Sequence, residues 1–170
     1  MKKVGVVGLG DMGSGLAKNL LLNGIDTFGY DLDTKRIASF VKNGGTEAKN
    51  IIEVGKNADA VFVMVMNGEQ VNSVILGKDG LISIMPKGST ILLTATVKPS
   101  EAHEIAIKVQ ESGVHFIDCP VSGGFAGAQN GTLTMMASGS DDIIRKNRDI
   151  MEAVSEKIHH VGIKPGQGQT

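Results

Sequence analysis

The 170-residue sequence has no tryptophan, one tyrosine and one cysteine. The lone Cys119 has no intramolecular partner, so a disulfide-stapled secreted scaffold is excluded and a reducing, cytoplasmic setting is expected. Charge of neither sign prevails: 17 basic residues face 18 acidic ones, for a net charge of -1. That balance removes any broad electrostatic attraction to nucleic acid or to an anionic membrane. No stretch reaches the ~18 consecutive apolar residues of a membrane-spanning helix. The longest apolar run, Ala60 to Met66, has a strand's length. The opening MKKVGVVGLG is broken by glycines and then by Asp11, which leaves no apolar core for a signal peptide.

What the chain has in excess is glycine, 23 residues in all. Hydrophobic residues at 41% and charged residues at 21% are ordinary for a globular protein, and the length fits one domain. Short β-rich runs alternate with stretches of helical apolar spacing. Strands are expected near Lys3–Val7, Asp26–Tyr30, Ala60–Val65, Thr90–Leu93, His115–Ile117 and Thr132–Ala137, with a weaker one near Lys157–Val161. Helices are expected over Ser14–Leu22, Lys35–Lys42, Ala48–Gly55, Glu69–Leu76, Ser100–Ser112 and Asp141–Ala153. The alternation predicts an α/β fold, a doubly wound and mainly parallel sheet of Rossmann type with helices on both faces.

Gly8, Gly10 and Gly13 form G-x-G-x-x-G between the first strand and the first helix. In a βαβ unit such glycines permit a tight turn, close approach of a pyrophosphate and close helix–strand packing. A bare structural turn would use the same spacing. Asp31 closes the second β-like run, 18 residues after Gly13, where a carboxylate accepts hydrogen bonds from ribose hydroxyls and repels a 2′-phosphate. No arginine directly follows it, Lys35 and Arg36 coming a helix turn later, and the pattern predicts NAD over NADP. A turn or cap residue is the other reading of Asp31.

A second glycine-rich stretch, Asp118 to Gly131, follows the expected fifth strand and reads as an irregular loop. Its Ser122, Gly123 and Gly124 would offer a hydroxyl and unobstructed N–H groups to a small carboxylate or polyol, unless the loop merely turns. Together, GLGDMGSGLAKNL at 8–20, DCPVSGGFAGAQNGT at 118–132, ILLTATVKP at 91–99 and VMVMNGEQV at 63–71 resemble the β-hydroxyacid dehydrogenase family. Met66, Ala95 and the PGQG ending depart from the 3-hydroxyisobutyrate pattern toward the branch acting on four-carbon sugar acids such as threonate.

The resemblance implies hydride transfer from a small β-hydroxy acid to NAD. It assigns Gly8, Leu9, Gly10, Met12 and Gly13 to the dinucleotide turn, Asp31 to the ribose, Val65, Met66 and Thr96 to the nicotinamide half, and Ser122, Gly123 and Gly124 to the substrate. The family's general acid/base lysine would fall two residues past Thr170, so no residue of this chain is assigned that role. The expectation is therefore a truncated cofactor domain, covering 1–170, of a longer enzyme whose helical domain builds a homo-oligomer. Two alternatives are a non-catalytic NAD-sensing module and an imine reductase of the same architecture. Lys164 reads as a solvated loop residue and Cys119 as a buried filler. Met64, Met66, Met135 and Met136 read as core or pocket lining, and none of the four histidines has metal-ligand spacing with Cys119.

Overall fold

A computed structural model describes residues 2–169. Five parallel strands form its centre: β1 (Lys3–Val7), β2 (Asp26–Tyr30), β4 (Ala60–Val63), β5 (Thr90–Leu93) and β6 (His115–Asp118). The two-residue β3 (Thr46–Glu47) extends the edge beside β2, giving the order 3-2-1-4-5-6. The order reverses between β1 and β4, and the crevice above that point is where open α/β sheets bind ligands.

The central strands are nearly continuous Val, Ile, Leu and Ala because both faces are covered. Val4, Val6, Phe62 and Leu92 pack with α1 (Asp11–Leu22), α2 (Thr34–Lys42) and α7 (Asp141–Val154) on one side. Val61, Val63, Ile91 and Leu93 pack with α3 (Ile51–Asn57), α4 (Gly68–Leu76) and α5 (Pro99–Glu111) on the other. This alternation along each strand produces two separate cores. Side chains of Asp33, Asn50, Asn67 and Ser140 cap α2, α3, α4 and α7 by accepting an N–H of the first turn.

Beyond β6 the sheet changes direction. β8 (Leu133–Ser138) meets β6 only where Ser138 stands opposite Asp118, then pairs antiparallel with β7 (Val121–Ser122) and parallel with β9 (Ser155–Gly162). The expected weak last strand is thus a full eight residues. The stretch expected to be an irregular loop instead holds β7 and the helix α6 (Gly124–Asn130). Glycine content hid this helix, because its stability comes from tertiary packing and not from propensity. At Gly15 of α1 any Cβ would lie 2.5 Å from the Ala128 carbonyl carbon, and the buried Asn19 amide donates to the carbonyls of Gly15, Ala128 and Gln129. Pro99 opens α5, one residue before the expected start.

Candidate nucleotide-binding site

The three glycines of the first cluster do different work. Gly8 follows β1 at φ +97, a conformation that L side chains avoid, and an added Cβ would overlap the Met64 carbonyl. Gly13 lies on α1 where a Cβ would overlap the carbonyl oxygen of Gly8. Packing alone accounts for both. Gly10 is different: its backbone is extended, with φ -71 and ψ -160, which any residue adopts. A Cβ there would meet nothing closer than the Arg36 guanidinium at 3.6 Å. Among the described residues no group requires a glycine at that position, and the space beside it is open. It borders a cavity of about 210 Å³ between α1 and α2, lined in part by Leu9, Ser14, Lys18 and Arg36.

No side chain caps α1 at Gly10, in contrast to the four helices capped by Asp or Asn or Ser. Its first-turn N–H groups and the positive end of its dipole face the carboxyl edge of the sheet, an arrangement suited to a phosphate. Leu9 is buried and Met12 half-buried, so both pack into the turn.

Asp31 follows β2 at the same edge, with its side chain 10% exposed. Its Oδ2 accepts from Leu9 N–H at 2.7 Å and its Oδ1 from Asp33 N–H at 2.8 Å. The turn-residue reading of Asp31 is therefore correct, and each oxygen keeps a further lone pair for a ligand. No arginine directly follows it, but Arg36 comes a helix turn later along the chain. One helical turn brings the Arg36 guanidinium to 3.7 Å from the carboxylate.

Val65, Met66 and Thr96 follow β4 and β5 at the same edge, with Val65 half-buried and Met66 and Thr96 exposed. Met66 is 87% exposed, so it neither fills the core nor lines an enclosed pocket. The loop carrying it is fixed at its base. Met66 N–H donates to Gln70 Oε1 while Gln70 N–H donates to the Asn67 side chain. Thr94, buried, ties the two strand ends together by donating to the Val63 carbonyl at 3.1 Å. Ser122, Gly123 and Gly124 are all exposed where β7 passes into α6, and space around Gly124 is open.

Asp118, Ser138 and Gln169, to which the sequence reading gave no role, help hold this edge together. Asp118, fully buried at the end of β6, accepts from Gln169 Nε2 at 2.7 Å, Gly166 N–H at 3.0 Å and Ser138 Oγ at 3.3 Å. Burial pushes its carboxyl above the ordinary Asp range, and these donors partly offset the rise. Its place at a strand's carboxyl end was the available signal. Cys119 is fully buried, and burial followed by the neighbouring Asp118 pushes its thiol well up, which makes it the inert filler expected. His103, His159 and Lys164 are exposed, and His160 contacts the Gly139 carbonyl. Thr170 lies outside the described residues.

Residues 3–162 match the family described as the NAD binding domain of 6-phosphogluconate dehydrogenase. The chain belongs to that family. It is 35% identical over 168 residues to L-threonate dehydrogenase of Escherichia coli K12, and 35% identical over 169 residues to NAD-dependent L-serine dehydrogenase of Pseudomonas aeruginosa. Each match covers at least 98% of this chain but 56% of the relative. The crystal structure of 3-hydroxyisobutyrate dehydrogenase from Salmonella typhimurium superposes with a TM-score of 0.95 at 33% identity, covering 99% of this chain and 59% of that one. The chain thus spans just over half the length of these relatives and corresponds to their NAD-binding part. The resemblance to β-hydroxyacid dehydrogenases read from the four sequence blocks agrees with these matches.

Proposed function

We propose that this chain binds NAD across the carboxyl edge of its sheet and is the cofactor half of a dehydrogenase acting on a small β-hydroxy acid. The observation that carries the reading is Gly10: a glycine that the fold does not need, set before an uncapped helix. The pyrophosphate would pass Gly10 and meet the open N–H groups of α1, with Gly8, Leu9, Met12 and Gly13 shaping the turn. Asp31 would take the adenosine ribose hydroxyls. Val65, Met66 and Thr96 would border the nicotinamide half, and Ser122, Gly123 and Gly124 would receive the substrate's polar groups. NAD, when bound, supplies the acceptor for a hydride from the hydroxyl-bearing carbon.

The substrate proposed is a four-carbon sugar acid such as threonate, supported by the departures at Met66 and Ala95 and by the threonate relatives. In the longer protein a lysine beyond Thr170 would take the hydroxyl proton, and a helical domain would close the cleft and form a homo-oligomer. Absence of that base removes a contribution of about 10²–10⁴-fold. The 170-residue chain should therefore bind NAD and show no measurable turnover of L-threonate, L-serine or 3-hydroxyisobutyrate. A chain extended to the relatives' length should turn over at least one of them, and changing its lysine to alanine should abolish turnover with NAD affinity kept. Absence of turnover in the extended chain would favour the NAD-sensing module. The protein is expected to work in a reducing compartment, as its single buried cysteine suggests.

A further inference from the structure

Gln169 is the last residue described, and its side-chain amide is fully committed. Its Nε2 donates to the Asp118 carboxylate at 2.7 Å and to the Ala95 carbonyl at 3.1 Å, while its Oε1 accepts from Val97 N–H at 3.2 Å. One planar amide thereby grips the backbone on both sides of Thr96. Ala95 and Val97 are buried and Thr96 between them is exposed. No hydrogen bond within β5 or α5 could do the same, because residues 94–98 lie in the gap between those elements.

We propose that Gln169 and Asp118 form a clasp that holds residues 95–97 in one geometry and so presents Thr96 to the nicotinamide half of the dinucleotide. Both are positioning residues; neither is placed to touch the ligand. The inference rests on the dinucleotide site proposed above and adds residues to which that reading gives no role. Asp118 orients the clasp. Its Oδ1 takes one Nε2 hydrogen, which fixes the direction of the amide plane and leaves the other hydrogen for Ala95. Its Oδ2 takes Gly166 N–H and Ser138 Oγ, and Ser138 Oγ in turn accepts from Gly168 N–H at 3.2 Å. The carboxylate is thus surrounded by donors on both oxygens, a set that a neutral amide cannot replace. The Gly166–Gln169 turn is held to the ends of β6 and β8 through Asp118 and Ser138, and Gln169 extends that hold to the Thr96 loop.

A merely structural role would lower stability and weaken every ligand alike. Positioning of Thr96 predicts a selective effect, readable by comparing NADH with ADP-ribose, which lacks the nicotinamide end. In the 170-residue chain, Gln169→Ala should weaken NADH about three- to tenfold, the range expected when an ordered loop must be reordered on binding, and leave ADP-ribose within about twofold. Amide hydrogen exchange should show Val97 N–H losing protection at least about tenfold in Gln169→Ala, with the β4 and β5 amides unchanged. Asp118→Asn, a nearly isosteric change, should release Gly166 N–H more than Val97 N–H, since the new amide can still face Gln169 with its oxygen. Gln169→Glu keeps an acceptor for Val97 N–H but replaces the Nε2 donor by an oxygen facing the Asp118 carboxylate and the Ala95 carbonyl, and should fail to rescue. Equal weakening of NADH and ADP-ribose, or a Val97 amide that stays protected in Gln169→Ala, would overturn the clasp. Failure of the unsubstituted chain to bind either nucleotide would instead overturn the dinucleotide site and, with it, the role given to Thr96.

Discussion

The Leu9 N–H and the Asp31 carboxylate meet at 2.7 Å, joining the glycine turn after β1 to the end of β2. One carboxylate therefore shapes the turn that would hold the pyrophosphate and stands where it would meet the ribose. Asp31→Ala should show both losses. Unfolding titration should find the chain less stable by about 1–3 kcal/mol, the range for a buried donor left without its partner. Calorimetry should find NAD weakened about ten- to a hundredfold. Full retention of both quantities would leave Asp31 with neither role.

Arg36, 3.7 Å from that carboxylate and 51% exposed, bears on the choice between NAD and NADP. Its guanidinium would stand near a phosphate on a ribose held by Asp31, whose own charge would oppose that phosphate. NAD should be preferred in the unsubstituted chain. Arg36→Ala should widen the preference, weakening NADP about three- to tenfold with NAD within about twofold. Parallel titrations in low salt check this, because an exposed cation is screened as ionic strength rises. Equal affinity for both dinucleotides in the unsubstituted chain would contradict the role given to Asp31.

Much of this fold can be read from the sequence, and the parts that cannot share a cause. β1, β2 and β5 fall at their expected residues because each is a short run rich in β-branched, aromatic or aliphatic residues, bounded by glycine or polar turns. α6 was hidden because its residues stay helical only against Gly15 and Asn19 of α1, over a hundred positions away. The site shows the same division. The spacing of Gly8, Gly10 and Gly13 is local, whereas their separate reasons need the structure: Gly8 is explained by Met64, Gly13 by Gly8, and Gly10 by no atom among the described residues. Asp118 and Gln169 gain their meaning from neighbours that only the fold brings together.

Asp118 also sets a pH dependence. Its native pKa is raised by burial, so between the ordinary Asp value of about 3.9 and that raised value the folded chain holds a proton that the unfolded chain has lost. The contribution of this group to stability is therefore fully present below the unfolded value and is lost as pH rises through the folded one. Urea unfolding between about pH 4 and pH 7 should show this falling component in the unsubstituted chain and its absence in Asp118→Asn. Identical slopes in the two proteins would contradict the raised value.

The glycines of the first turn separate packing from binding. Gly13→Ala should destabilise the chain by about 1–3 kcal/mol, because its new methyl group meets the Gly8 carbonyl oxygen and the backbone must shift. A thermal melt close to that of the unsubstituted chain would show that the turn tolerates the change.

Gly10→Val tests the central claim most directly. The extended backbone and open space at Gly10 predict a stability loss of about 1 kcal/mol or less, from a poorer helix cap alone. The branched side chain would nonetheless occupy the path assigned to the pyrophosphate. Titration of NAD into the unsubstituted chain and into Gly10→Val, with circular dichroism on both, should show binding in the first, nearly none in the second and the same folded spectrum for each. Equal NAD affinity in the two folded proteins would contradict the account.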